Sequence, residues 1–342
     1  MNIRIDKLDN TPFYKQICEQ IREQVRGGRL QPGQMLPSLN QLAILLGISR
    51  ETTKKAYNQL LRESILISRQ GKGVFVAGER TPGRDEILLI LDKQSVYNQI
   101  LVQAFQETLG EGAHITILLH SQNPDVLEYY LDHHLDRYDH YVVSPHFPLD
   151  KRSQARAARL LRRIPNRKLI MVDNWLQEVP GNYGVVYQDF RHDAFQALSG
   201  VKDEIIGTKG RLRVIVMPQS LYGTVILESV KEFADASGIG ISVHWSVPEQ
   251  WEKGDIAIVL NSQLDSGLVA IDHSIRDCKL VPGKDVRIIS YNEFPLNEIV
   301  LGGLTTLSTD FPRMGESAAR MILSGEPEKI HNPFRITRRK TF

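Results

Sequence analysis

Between Ser49 and Arg62 the chain reads SRETTKKAYNQLLR. Thr53, Ala56, Tyr57, Leu60 and Leu61 recur at helical spacing and would face a core, which leaves Arg50, Thr52, Lys54, Lys55 and Asn58 on the other side. Arg, Lys, Thr and Asn side chains hydrogen-bond base edges and phosphates, so a short helix showing them outward suits a DNA major groove. An ordinary solvated helix face gives the same charge pattern. The neighbouring elements must decide between the two.

Those neighbours fit the groove reading. Ser38 followed by Gln41 is a capping-box pattern, and Leu39, Leu42, Ala43 and Leu46 form one apolar stripe. Gly47 supplies a left-handed stop, and Ser49 caps the next helix. Upstream, a helix is expected from about Pro12 to Arg26, capped by Thr11, with Ile17, Ile21 and Val25 on one face. Downstream, strands at Leu66–Arg69 and Val74–Ala77 flank Gln70, Gly71, Lys72 and Gly73. Glycines there let backbone approach DNA closely, and Lys72 can meet a phosphate or a minor groove.

The stretch resembles the winged-helix head of GntR-family bacterial transcription regulators. Pro12, Tyr14, Ile17, Ile21, Gly28, Leu30, Pro32, Gly33, Leu36, Pro37 and Ser38 fall in the family's order, as do Leu42, Ala43, Leu46, Gly47, Ser49, Arg50, Thr52, Ala56, Tyr57, Leu60, Glu63, Gly71, Gly73 and Phe75. Two positions depart from it: Asn40, where the resemblance implies a DNA-contacting Arg, and Ser64, where it implies Gly. Asn40 can still hydrogen-bond a base edge but lacks the guanidinium fork. The candidate DNA contacts are Ser38, Asn40, Ser49, Arg50, Thr52, Lys54, Lys55, Gln70, Gly71 and Lys72.

With 342 residues, two domains are expected. Residues 1–80 hold 13 Lys and Arg against 7 Asp and Glu, an excess of +6; with +2 for the whole chain, the rest carries −4. A basic head on a mildly acidic body is the footprint of a DNA-binding module joined to something else. The N-terminus lacks the apolar run of a signal peptide, and no stretch has the length of a membrane span. Cys18 and Cys278 read as plain core cysteines, so a cytoplasmic protein is expected.

Boundaries follow from composition: a winged helix-turn-helix at 1–78, a linker at 79–85, and a body at 86–342. In the body, apolar runs alternate with helical patterns, the sign of a doubly wound α/β fold with two lobes. The first lobe takes strands at Glu86–Asp92, His114–His120, His140–Ser144 and Lys168–Val172. The second is expected to start at Tyr183–Tyr187 and continue with Leu212–Met217, Gly240–Trp245, Ile256–Asn261 and Val286–Tyr291. Ligand groups in such folds sit beyond strand C-terminal ends, in the cleft. That rule nominates Asp92, Gln94, Tyr97, Asn98, His146, Asn174, Trp175, Asp189 and Tyr222. Trp175 and Tyr222 could stack on a sugar ring while Asn and Asp read hydroxyls.

Leu280–Pro295, Leu304–Leu323 and Ile258–Gly267 resemble the sugar-sensing domain of LacI-type repressors, a relative of periplasmic sugar-binding proteins. Pro282-Gly283-Lys284-Asp285-Val286, Leu304-Thr305-Thr306 and Met314-Gly315 are the most specific parts; the first lobe matches in pattern alone. The resemblance implies effector contacts at Asn261, Asn292 and Thr309. It also shows departures, Ser262 and Asn292 standing where Asp is usual, and an Arg of the second lobe having no counterpart near Glu228 and Ser229.

No GxGxxG after a strand, GK[ST] loop, HExxH or CxxC occurs, so no cofactor or catalytic metal is expected. The histidines at 133, 134, 140 and 146 have no metal-binding spacing. Together these features imply a homodimeric, sugar-responsive regulator on a palindromic operator. Two other readings stay open: a sensor acting through a protein partner, and an enzyme acting on its ligand. GntR heads joined to aminotransferase-like bodies represent the latter, but those bodies are longer.

Overall fold

A computed structural model of the chain describes residues 3–6, 9, 11–63, 65–69, 73–77, 85–135, 137–216, 220–260 and 266–342. The chain divides into two compact units, residues 1–86 with 134–139, and residues 87–133 with 140–342.

The first unit is built on α1 (Phe13–Arg26), α2 (Leu39–Leu46), α3 (Arg50–Arg62) and an antiparallel hairpin of β1 (Leu66–Arg69) and β2 (Gly73–Val76). Pro12 is the N-cap of α1 and no side chain caps it. Thr11 does not cap the helix as expected; its N–H donates to Asp9 Oδ1 at 2.8 Å. Gly47 ends α2 with φ 64°, a conformation that costs a residue with a Cβ more than it costs glycine. Ile17, Cys18 and Ile21 of α1 bury against Leu42, Ala56, Tyr57 and Leu60, with Leu66 and Val76 of the hairpin closing the core. Burial pushes the Cys18 thiol up to about 11, so it is an inert core group. Cys278, by contrast, is only half-buried.

The second unit holds two six-stranded sheets. In the first, β3 (Asp85–Leu91), α4 (Val96–Leu109), β4 (Ala113–Leu119), α5 (Pro124–His134), β5 (His140–Val143), α6 (Lys151–Leu161), β6 (Leu169–Asp173) and β7 (Gly184–Tyr187) alternate. The second contains α7 (Asp193–Ser199), α8 (Lys202–Gly207), β8 (Leu212–Val216), α9 (Gly223–Ser237), β9 (Ile241–His244), β10 (Ile256–Leu260), α10 (Ser266–Asp277), β11 (Arg287–Tyr291) and β12 (Thr305–Thr309). The chain then returns to the first sheet with α11 (Phe311–Ser324) and β13 (Lys329–His331), and ends in the second with β14 (Phe334–Thr337). Strand orders are β13-β7-β6-β5-β3-β4 and β14-β12-β11-β10-β8-β9.

One expectation is overturned here. The strand near Tyr183–Tyr187 does not open the second lobe. It is β7, parallel to β6 in the first. Local pattern cannot show this, because a buried parallel strand reads alike in either sheet. Strands β5, β6, β8, β10, β11 and β12 are buried on both faces except at their first residues, which explains their near-continuous apolar runs. Gly315 lets α11 lie tight on α4: a Cβ there would stand 2.2 Å from the Leu101 carbonyl oxygen.

Candidate functional site

In the first unit, the side chains of α3 divide by exposure, whereas α2 buries Leu42 and Ala43 and leaves Ile44 and Leu45 exposed. Thr53, Ala56, Tyr57 and Leu60 are buried, while Arg50, Lys54, Lys55 and Asn58 are exposed. Tyr57 anchors the arrangement by donating to the Pro37 carbonyl at 2.9 Å. Ser38 and Ser49 are engaged as helix caps. The Gln41 N–H donates to Ser38 Oγ at 3.3 Å and the Ser38 N–H to Gln41 Oε1 at 2.8 Å, the reciprocal box. The Thr52 N–H donates to Ser49 Oγ at 3.2 Å, and the two hydroxyls lie 2.8 Å apart.

Arg22 of α1 clasps Glu63 with two bonds of 2.9 and 2.7 Å, pinning the far end of α3. The same guanidinium holds the Glu63 carboxyl below its usual range. The outward cations are not equivalent. Lys54 sits 3.8 Å from Glu51, and the Lys55 ammonium lies 4.2 Å over the Tyr14 ring. Arg50 and Asn40 are exposed and make no side-chain bond among the described residues. Gln70, Gly71 and Lys72 lie outside the described residues.

In the second unit a polar cleft lies between the two lobes, lined by Asp92, Lys93, Tyr97, Gln122, His146, Asp173, Gln188, Phe190, Tyr222, Tyr291, Asn292 and Phe311, among others. Its floor is charged. Asp92 and Asp173 are buried at the ends of β3 and β6. Asn98 Nδ2 donates to Asp92 Oδ1 at 3.0 Å, and His146 Nε2 lies 3.0 Å from Asp173 Oδ2 without forming an aligned hydrogen bond. Burial works against the charged ring, but Asp173 and Asp92 beside it hold the His146 pKa above its ordinary value.

Below it, His120 Nε2 donates to the Ser144 carbonyl at 2.8 Å. Its other ring nitrogen is buried and without a partner among the described residues. Burial lowers His120 to about 4, so it is neutral at neutral pH.

A relay joins the lobes. Gln188 Nε2 donates to Asp173 Oδ1, and the Tyr291 hydroxyl donates to Gln188 Oε1 at 3.0 Å. The walls are aromatic: Tyr222 stacks on Phe190 at 4.1 Å and Tyr97 on Phe311 at 5.2 Å. Asp173 and Asn292 hold left-handed backbones, φ 70° and 76°, at matching strand ends of the two lobes. Such non-glycine strain concentrates where side chains are aimed at a ligand.

The space left among these side chains is about 40 Å³, against roughly 300–1,000 Å³ for ligand pockets. A ligand of that size therefore enters only if the walls of the cleft move apart.

The sequence-nominated residues divide. Asp92, Tyr97, His146, Tyr222 and Asn292 line the cleft, and Asn98 stands behind Asp92. Asn174 reaches the edge, donating to the Tyr222 hydroxyl at 2.8 Å. Four fall elsewhere. Gln94 is exposed on its loop. Trp175 packs beside Tyr187 and donates to the Tyr183 hydroxyl at 3.2 Å, with Lys329 over its ring. Asp189 is a turn residue bonded to His192 Nδ1 at 2.8 Å. Thr309 lies at a crossover between lobes, accepting from Asn332 at 2.8 Å, and borders a second cavity of about 440 Å³ with Glu107 and Phe311. Asn261 lies outside the described residues.

Missed were Lys93, Gln122, Asp173, Gln188, Phe190, Tyr291 and Phe311, among others. Strand ends do signal Asp173, Gln188 and Tyr291. The left-handed turn at Asp173 carries that residue, rather than Asn174, into the cleft.

Residues 13–76 match the family of bacterial regulatory proteins, gntR family. The head is a GntR-family winged helix. The repressor MngR of Escherichia coli K12 is 42% identical over 73 residues, 21% of this chain and 30% of that protein. The repressor YtrA of Bacillus subtilis 168 is 37% identical over 75 residues, 22% of this chain and 58% of that protein. The chain thus spans less than two thirds of these curated relatives.

The trehalose repressor of Escherichia coli superimposes with TM-score 0.57 at 13% identity, over 74% of this chain and all of that one. The regulator CelR in its cellobiose complex gives 0.56 at 16%, over 90% of this chain and all of that one. The body has the two-lobed fold of LacI-type repressors, as its own two sheets show. None of its described helices is long and apolar enough to cross a membrane.

Proposed function

We propose that this protein is a transcription regulator whose winged head, residues 1–78, binds double-stranded DNA and whose two-lobed body, residues 86–342, takes a small carbohydrate in its cleft. The observation that carries the reading is the exposed face of α3. Arg50, Lys54, Lys55 and Asn58 stand outward on a helix that a closed apolar core and the Arg22–Glu63 clasp hold in place. A rigid helix with outward donors is what base-edge reading requires.

The body supports effector control. It has three crossovers between lobes and a polar cleft with aromatic walls. Solved structures of the same fold include a transcriptional regulator in complex with cellobiose. A homodimer on a palindromic operator doubles the base contacts, since one helix reads too few pairs for specificity. Closure of the lobes would change operator affinity by about 5–150-fold, the ordinary span of such coupling. No enzymatic step is assigned, in keeping with relatives that are regulators.

The test is DNA binding by the full chain to fragments from its own genomic neighbourhood, followed across a salt series. Affinity falls steeply with salt, and Arg50→Ala costs about 1–3 kcal/mol where Arg50 meets guanine. Unchanged affinity in Arg50→Ala, together with a flat salt response, would overturn the reading.

A further inference from the structure

The charge distribution in the cleft says more about its ligand than its fold does. Two carboxylates, Asp92 and Asp173, are 2% and 3% exposed at its floor. Asp173 faces His146 and accepts from Gln188. Asp92 meets neutral donors: Asn98 Nδ2 at 3.0 Å and Gln122 Nε2 at 3.5 Å. Among the described residues these neutral amides are its side-chain partners, and no ion pair is formed. Lys93 is the one lysine of the lining among the described residues, half-exposed, with its ammonium 5.9 Å over the Tyr97 ring. No arginine lines the cleft among the described residues.

A buried carboxylate without a cation is costly, and the cost falls when a ligand brings the missing charge. A phosphate or carboxylate would meet the opposite field, with no guanidinium fork to grip it. A second observation points the same way. His146 lines the cleft at 8% exposure, and its Nε2 is without a formed hydrogen bond among the described residues. His146 faces Asp173 at 3.0 Å, which leaves Asp92 as the carboxylate of the floor without a paired cation among the described residues. The faces of Tyr97 and Tyr222, backed by Phe311 and Phe190, suit both the apolar side of a sugar ring and an ammonium group.

We infer that the effector is an amine-bearing carbohydrate, a hexosamine or aminopolyol, whose ammonium group pairs with Asp92 while its hydroxyls meet Asp173, His146 and Asn292. This rests on the proposed effector role of the cleft and narrows it to one charge class.

The experiment is calorimetric titration of the full-length protein with D-glucosamine, D-galactosamine, D-mannosamine and their reduced aminopolyols. Each is set against its parent hexose, its N-acetyl derivative, its 6-phosphate and the matching hexuronic acid. At least one free amine binds, about tenfold or more tighter than all four of its counterparts. Asp92→Asn keeps the acceptor for Asn98, so the unliganded variant melts no lower than the parent. It binds the amine about tenfold or more weakly, a larger loss than any it shows for the neutral hexose.

Equal or tighter binding of a neutral or anionic sugar overturns the inference. So does the absence of response to every amine, or an unchanged amine affinity in Asp92→Asn. Operator binding is measured alongside as a separate readout. Release of DNA by a neutral sugar removes this inference and leaves the regulator standing. Loss of all DNA affinity removes the regulator, and the titrations still decide the ligand's charge.

Discussion

The head and the body use charge in opposite ways. In the head, Arg50, Lys54 and Lys55 stand in solvent, where each contributes little to folding and salt screens them all. In the body, Asp92, Asp173, Arg213 and Asp255 are buried, each at or below 9% exposure, and screening reaches them poorly. The difference separates two tasks. An outward cation is available to a large polyanion at small cost to the fold. An inward charge must be satisfied within the fold or by a ligand, so it is held by named partners and its loss is felt at once.

The sharpest way to break this contrast is at the pair Arg213–Asp255 in the second lobe. Arg213 Nε bonds Asp255 Oδ2, the same oxygen accepts the Glu252 N–H at 2.9 Å, and the guanidinium lies 5.4 Å over Trp251. Asp255→Ala leaves that guanidinium buried and unpaired, so urea unfolding of the body shows a loss of about 3–5 kcal/mol. Replacing both residues by apolar ones of similar size restores most of it. A loss under about 1 kcal/mol would place the pair with exposed ones.

The next effect is in pH. The folded-state pKa of His120, about 4, lies below the ordinary imidazole value, so the unfolded chain binds the proton more readily. Its contribution to stability is full above about pH 6.5 and is lost as pH falls toward 4. His146 has the opposite sign, because its pKa is raised: it contributes most at low pH and loses that contribution as pH rises through its folded value. Between pH 7 and pH 5, His120→Gln therefore loses less stability than the parent protein, by on the order of 2 kcal/mol in chemical denaturation. Equal losses would show that the imidazole is not desolvated.

The same division explains what could be read in advance. Every feature of the head is local: Ser38 and Gln41, Gly47, Ser49 and the α3 face fall within 25 residues, and their spacing fixes their geometry. The cleft gathers residues from Asp92 to Phe311, so its membership depends on sheet order and on turns at strand ends. The rule that ligand groups follow strands found Asp92, His146 and Tyr222, and the family resemblance found Asn292. It failed at Trp175 and Asp189, because β7 pairs with β6 and those residues belong to the edge of the first lobe and to a turn. Phe311 carries no local signal: α11 follows a strand of the second lobe, yet it packs on α4 of the first.

A smaller effect tests whether the head's polar groups are as individually modest as the comparison holds. Ser38 has two candidate roles, helix cap and DNA contact, and the geometry shows the first: its hydroxyl accepts the Gln41 N–H and the box is reciprocal. Ser38→Ala removes that acceptor and costs about 1 kcal/mol, seen as faster amide exchange at Gln41 and a lower melting transition of the head. Gln41→Ala removes the other half of the box while leaving the Ser38 hydroxyl in place. If Ser38 acts on DNA only through α2, the two variants weaken operator binding alike. A loss of affinity confined to Ser38→Ala would give the hydroxyl a phosphate contact of its own.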